Sequence, residues 1–200
     1  MRAKAALCLL AGSLVSPAAA AGAQWQAVEK VETYAVSGTT GIELYTSIGG
    51  RGPKLSNGSR AIAHTNFKLT WSRKYEPDGA GGCTLAAARP NLTIIYTLPE
   101  PAQKLPAQVQ RQWAAFIAGM REHEKLHGVF IKEMVEAIEA YSVGLKVADD
   151  PGCKKIRQVL TKRLGELSQA QRQRSRDFDR AEMGEAGPIR RLILALVNGA

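Results

Sequence analysis

Five consecutive residues, His123-Glu124-Lys125-Leu126-His127, carry the spacing HExxH. Side chains four apart stack on one helical face, so on a helix both imidazoles can reach a single cation. The Glu124 carboxylate falls beside them, where it can take a proton from a metal-bound water. Zinc suits such a set: it accepts imidazole nitrogen and keeps an open position for water when three protein groups bind it. The expectation is a Zn2+ centre with His123 and His127 as ligands and Glu124 as general base. Of three histidines in the chain, two fall in this pentapeptide. The competing reading is a pair of neutral core histidines, each hydrogen-bonded, with Glu124 helping to satisfy them.

The surrounding pattern is helical. Val109, Trp113, Phe116, Met120, Phe130, Met134, Ile138 and Tyr141 recur at intervals of three and four, which predicts one long helix from Pro106 with a buried stripe. Proline suits the first turn of such a helix. His123 and His127 continue the stripe and should face inward. Asp149-Asp150-Pro151-Gly152 breaks the chain, a second helix carries Ile156, Leu160, Leu164 and Leu167, and Gly184 to Pro188 ends it. Ile189 to Val197 reads as an apolar tail packed back on the domain.

The front half reads as strands. Val28 to Val36 is β-rich, Ser37 to Gly41 is a turn cluster, and Ile42 to Ile48 suits one or two helical turns. Ala63, Thr65, Phe67, Leu69 and Trp71 alternate with polar neighbours, the period of a half-buried strand. Leu92 to Leu98 is a further strand, and Pro99 to Pro106 closes the sheet section. His64 falls on the face opposite Phe67 and reads as a surface residue. The fold expected is α+β: a small antiparallel sheet, a long HExxH helix packed on it, and a second helix closing the site.

Arg2 and Lys4, the apolar run Ala5 to Val15 and the small residues that follow have the order of a secretory signal peptide. The run is too short for a permanent membrane span. Cleavage is expected after Ala20 or Ala23, leaving one domain over 24–200 in a secreted or periplasmic protein without a stable membrane anchor. The charge of +9 lacks the interleaved aromatics or motif of a nucleic-acid binder, and no nucleic-acid partner is expected. Cys83 and Cys153 are the cysteines left after cleavage; in an exported chain they suggest one disulfide, the alternative being two free thiols.

Taken together, Tyr34 to Gly38 leading into Leu44, Thr65 to Trp71, Cys83, Leu98-Pro99 before a helix with Trp113 and Phe116, the HExxH, and Cys153 resemble a bacterial family. It is the domain of unknown function 922, described as predicted secreted zinc-dependent proteases. The resemblance covers most of the chain after the signal peptide. It implies an aromatic–Asp pair near the C-terminus followed by a Thr and a His-Gly. Phe178-Asp179 matches the pair, but Glu182-Met183-Gly184-Glu185 stands where the histidine belongs. If that histidine is a ligand or stabilises a transition state, its loss implies altered or absent activity.

The third ligand is open among acids. Glu133 lies about 15 Å along an unbroken helix from His123 and off its face, which argues against it. In an antiparallel hairpin Glu166 would be nearly level with His127, although to one side of the apolar stripe. The resemblance favours Asp179, and Glu182 could stand in near the lost histidine. Asp179 is the first choice, Glu166 the second. The functional expectation is an exported zinc-dependent peptidase acting on a peptide or protein substrate. Such a peptide would be aligned by an edge strand (Leu92 to Leu98), with Tyr96 or Tyr141 near the oxyanion. The alternative is a noncatalytic cell-envelope binding module on a zincin-like scaffold, and a third is a basic envelope protein holding anionic polymer.

Overall fold

The structure is a computed structural model and describes residues 25–199. The signal-peptide segment 1–23 and both cleavage points lie outside the described residues. Strand β1 (Val28–Val36) leads into helix α1 (Gly41–Arg51), then β2 (His64–Pro77) and β3 (Cys83–Pro101). The helical half is α2 (Ala107–Ser142), the short β4 (Lys146–Val147), α3 (Lys155–Met183) and α4 (Pro188–Asn198). This is the α+β architecture expected. No helix among the described residues is long and apolar enough to cross a membrane.

The sheet is mixed rather than antiparallel throughout. Its order is β1-β3-β2, with β1 parallel to β3 and β2 antiparallel to it. Alternation of apolar residues assigns faces but carries no strand direction. The parallel pair follows from the chain path: α1 and β2 separate β1 from β3, long enough for a crossover. Leu92 to Leu98 belongs to a strand of 19 residues, well over twice the length that the sequence suggests, and it is central. Thr93 to Thr97 pairs with β1 on one side and β2 on the other, so the edge-strand assignment is corrected. The extra length was hidden by Pro90, Pro99 and Pro101. Pro90 precedes the first residue that β1 reaches, and the other two lie beyond the last residue paired to β2. Each proline therefore sits where β3 has one open edge, the place a strand tolerates a missing N–H.

Helix α1 is three turns long, begun by a capping box between Thr40 and Glu43. α2 runs 36 residues without a break. Its first half packs Trp113, Phe116 and Met120 against Val36, Leu44, Leu98, Ile189 and Leu196. Its second half packs Ile131, Met134, Val135 and Ile138 against Leu92, Ile94 and Tyr96, with Phe67, Leu69 and Trp71 of β2 alongside. His123 to His127 lies on the stretch between these two apolar clusters. α4 is the apolar tail, and it does pack back on α2 and α1.

A third cluster surrounds the Cys83–Cys153 disulfide, with Leu85, Ile156 and Leu160. The two sulfurs are bonded, which settles the pairing against free thiols. Buried Asp150 accepts from the backbone N–H of Lys154 and Ile156 at 2.7 and 2.9 Å, closing the first turn of α3. Disulfide and cap together fix where α3 begins, beside the first residues of β3 rather than in a tight turn from α2. The bond spans 70 residues, for which loop-closure entropy gives a stabilisation of about 4 kcal/mol. Replacing both cysteines by alanine should lower the midpoint of thermal unfolding by about 10 °C. A calorimetric scan with no shift would show that the cross-link does not restrain the unfolded chain.

Candidate metal centre

α2 sets His123 and His127 one turn apart and turns both rings toward α3. Their Nε2 atoms are 3.2 Å apart, and Asp179 Oδ1 of α3 stands 3.2 Å from the first and 2.9 Å from the second. Three lone-pair atoms thus form a triangle with sides near 3 Å. A tetrahedral site with bonds of 2.0–2.1 Å has ligand-to-ligand edges of about 3.3 Å, so the triangle has the dimensions of one face. Hydrogen bonding alone satisfies it poorly. If both imidazoles donate to Asp179, two N–H groups confront each other across 3.2 Å. If one does not, a bare nitrogen faces that pair. A cation in contact with all three atoms removes the conflict, and the donor set of two imidazoles and one carboxylate is one that zinc accepts.

Neighbours on α3 hold the rings. Phe178 stacks on His123 with centroids 4.7 Å apart and planes 19° apart, and it meets His127 and Phe130 edge-on. His127 Nδ1 lies 3.2 Å from Ser175 Oγ, which accepts from Gln171 Nε2 at 3.0 Å. With that hydroxyl oxygen as acceptor, His127 carries its proton on Nδ1 and leaves Nε2 free for the centre. Asp179 is held well below the ordinary carboxylate range. Burial works to raise it, but hydrogen bonds to His123 and His127 and their charge outweigh that. His123 is 3 % exposed, whereas the Asp179 side chain is 45 % exposed. The centre therefore opens on the α3 side.

Glu124 points away from α3, into the interface of α2 with β2. It is 4 % exposed and accepts from Thr65 Oγ1 at 2.5 Å. Burial pushes its carboxyl up from the usual value, an effect the Thr65 hydrogen bond and the two histidines only partly offset. Gly128 follows the motif because Tyr96 occupies the space beside it: a Cβ there would lie 2.2 Å from the Tyr96 hydroxyl.

Of the acids weighed on sequence, Asp179 joins the histidines and Glu166 does not. Glu166 pairs with Arg163 at 2.9 Å on the exposed side of α3. The reason is axial offset. α3 starts beyond the end of α2, so the residue level with His127 lies farther along than in a tight hairpin. Glu133 pairs with Arg174, off the histidine face as expected. Glu182 reaches the other side of His123, its Oε2 3.8 Å from Nδ1. The Tyr96 hydroxyl is committed to Glu29 at 2.8 Å, and Tyr141 packs in the disulfide cluster, so neither is free for an oxyanion. His64 is half-buried on the sheet face opposite Thr65 and outside the triangle.

Sequence reasoning passed over Thr65, Gln171 and Ser175. A signal existed for the last two. The apolar stripe of α3, Ile156, Leu160, Leu164, Leu167, continues in phase to Gln171, Ser175, Phe178 and Glu182. An inward stripe that turns polar opposite an HExxH motif marks the groups that serve it.

A mixed sheet backed by an HExxH helix, with a carboxylate from the following helix completing a two-histidine triad, defines the class of this molecule. The chain belongs to DUF922, described as a bacterial protein of unknown function, which matches residues 31–187. No curated protein and no solved structure matches it.

Two outcomes follow from this geometry. Asp179→Ala should weaken zinc binding by more than the roughly 10–100-fold typical of losing an outer partner, while Glu166→Ala leaves it unchanged, as read by chelator competition. In metal-free protein, Glu124→Gln should be more stable than the parent at neutral pH, because it removes a buried carboxylate. Since the folded pKa is raised, the wild-type chain loses stability relative to the variant as pH climbs from the ordinary glutamate value through the raised one. Denaturant melts across that range showing a constant difference would contradict the assignment.

Proposed function

We propose that this chain is an exported zinc-dependent peptidase whose centre is His123, His127 and Asp179, with Glu124 as general base. The observation that carries the reading is the convergence of three lone-pair atoms within 3.2 Å of one another beside a buried carboxylate. Zn2+ bound there would supply an acidified water and a polarised carbonyl. His123 and His127 orient the site, held by Phe178 and by the Gln171–Ser175 relay. Glu124, with its proton affinity raised by burial, takes a proton from the attacking water and returns it to the leaving amine. Thr65 holds that carboxylate through one of its two oxygens.

Thr65 also belongs to β2, which has β3 on one side and no strand on the other among the described residues. An extended peptide adding to that free edge would run alongside Glu124. Next to His127, Phe130, Met134, Leu167 and Ala170 line a cavity of about 200 Å³, rimmed by Glu133 and Arg174. Its apolar walls suit an aliphatic or aromatic side chain beside the scissile bond. Export is supported by the disulfide, which persists in oxidising compartments.

A noncatalytic binding module is favoured by one observation: the Glu124 carboxylate is bonded to Thr65. One variant separates the two readings. Glu124→Gln should reduce peptide hydrolysis by a factor of roughly 100 or more while zinc per chain stays at the wild-type level. A variant as active as the parent, or a zinc-loaded parent that cleaves no peptide, would leave the binding module standing.

A further inference from the structure

The two histidines are supported unequally on their outer sides. His127 Nδ1 has Ser175, itself held by Gln171. His123 Nδ1 is buried and has no hydrogen-bond partner among the described residues. A buried ring nitrogen left unpaired is costly, and in a native site such a group has a reason. Glu182 Oε2 stands 3.8 Å from it. Glu182 is three residues past Asp179, on the same face of α3, and its side chain is 22 % exposed. Asp179 and Glu182 therefore bracket one imidazole, the first at Nε2 and the second at Nδ1, while Phe178 covers the ring plane.

We infer that Glu182 is the positioning residue of His123, accepting the Nδ1 proton when that ring gives its Nε2 lone pair to a cation. This rests on the zinc reading above. A neutral imidazole has one N–H, so an Nε2 ligand carries its proton on Nδ1. That donor is closed off from water, and Glu182 is the acidic group beside it. A side-chain movement of about 1 Å brings 3.8 Å to hydrogen-bond length. A carboxylate there fixes the tautomer and makes Nε2 a better donor to metal. Glu182 is thus not a third ligand: the atoms that converge belong to His123, His127 and Asp179.

The test is zinc competition against a chromophoric chelator, with the mature chain and its Glu182→Ala, Glu182→Gln and Asp179→Ala variants. The visible spectrum of each cobalt(II) form accompanies it. Glu182→Ala should still bind one zinc at saturation, about 10–100-fold more weakly, with the cobalt band shifted but retaining tetrahedral intensity. Glu182→Gln, whose neutral amide oxygen still accepts, should recover much of the affinity with its cobalt band displaced from that of the parent; a role in packing alone would leave the nearly isosteric glutamine variant at the parent's band. Wild-type affinity in Glu182→Ala overturns the inference and leaves the zinc reading intact. Loss of the site as complete as in Asp179→Ala overturns it too, by making Glu182 a ligand. A parent chain that takes up no zinc refutes the zinc reading, and this inference with it.

Discussion

Two imidazole nitrogens and a carboxylate oxygen stand within 3.2 Å of one another on a surface shared by α2 and α3. Lone pairs at that separation repel unless protons or a cation lie among them, and two protons cannot satisfy three acceptors without a donor facing a donor. The rest of the fold is arranged to hold this contact. α2 is anchored by an apolar cluster on each side of the motif, Met120 ending one and Ile131 beginning the other. The motif therefore sits on the one stretch of the helix whose inward face is polar, with fixed helix on both sides. Polar groups are affordable there because the apolar contacts on either flank supply the packing.

Glu124 links the centre to the sheet. Its carboxylate is buried against β2 and bonded to Thr65, and a carboxylate so placed has its charged form disfavoured by lost hydration. Tyr96 fills the neighbouring space so closely that a Cβ at position 128 would force its hydroxyl aside. Helix and sheet are thus in contact at the HExxH motif itself. Glu124 lies against the edge strand β2, on the side of α2 away from α3. A strand added to the free edge of β2 would run alongside it.

Much of this was legible. The spacing of apolar residues from Val109 to Tyr141 gave the length of α2 and the inward phase of both histidines, and alternation from Thr65 to Trp71 gave the face of β2 that meets them. What periodicity lacks is direction and axial level. The parallel run of β1 beside β3 depends on the path through α1. The choice of Asp179 over Glu166 depends on where α3 starts, which the disulfide and the Asp150 cap decide. In sequence those two devices read as a cysteine pair and a helix breaker, and neither reports the offset of one helix against another. The length of β3 was masked by prolines, tolerable only because each lies where a neighbouring strand is absent.

The same offset governs how firmly α3 is held. Only Ile156 and Leu160 of its residues are fully buried, both near its start and beside the disulfide. Past Leu167 its inward face is polar but for Phe178, and its contacts with α2 gather at the centre: Phe178 against His123 and Phe130, Asp179 against both histidines, and Arg174 on Phe130 and Glu133. Its C-terminal half is therefore held to α2 largely through the site, and at its end by α4, which packs in the first apolar cluster. Whatever neutralises the three converging lone pairs also fastens that half of the helix. A ligand binding only the docked state stabilises that state by mass action, so a cation at the centre would favour the docked position of α3.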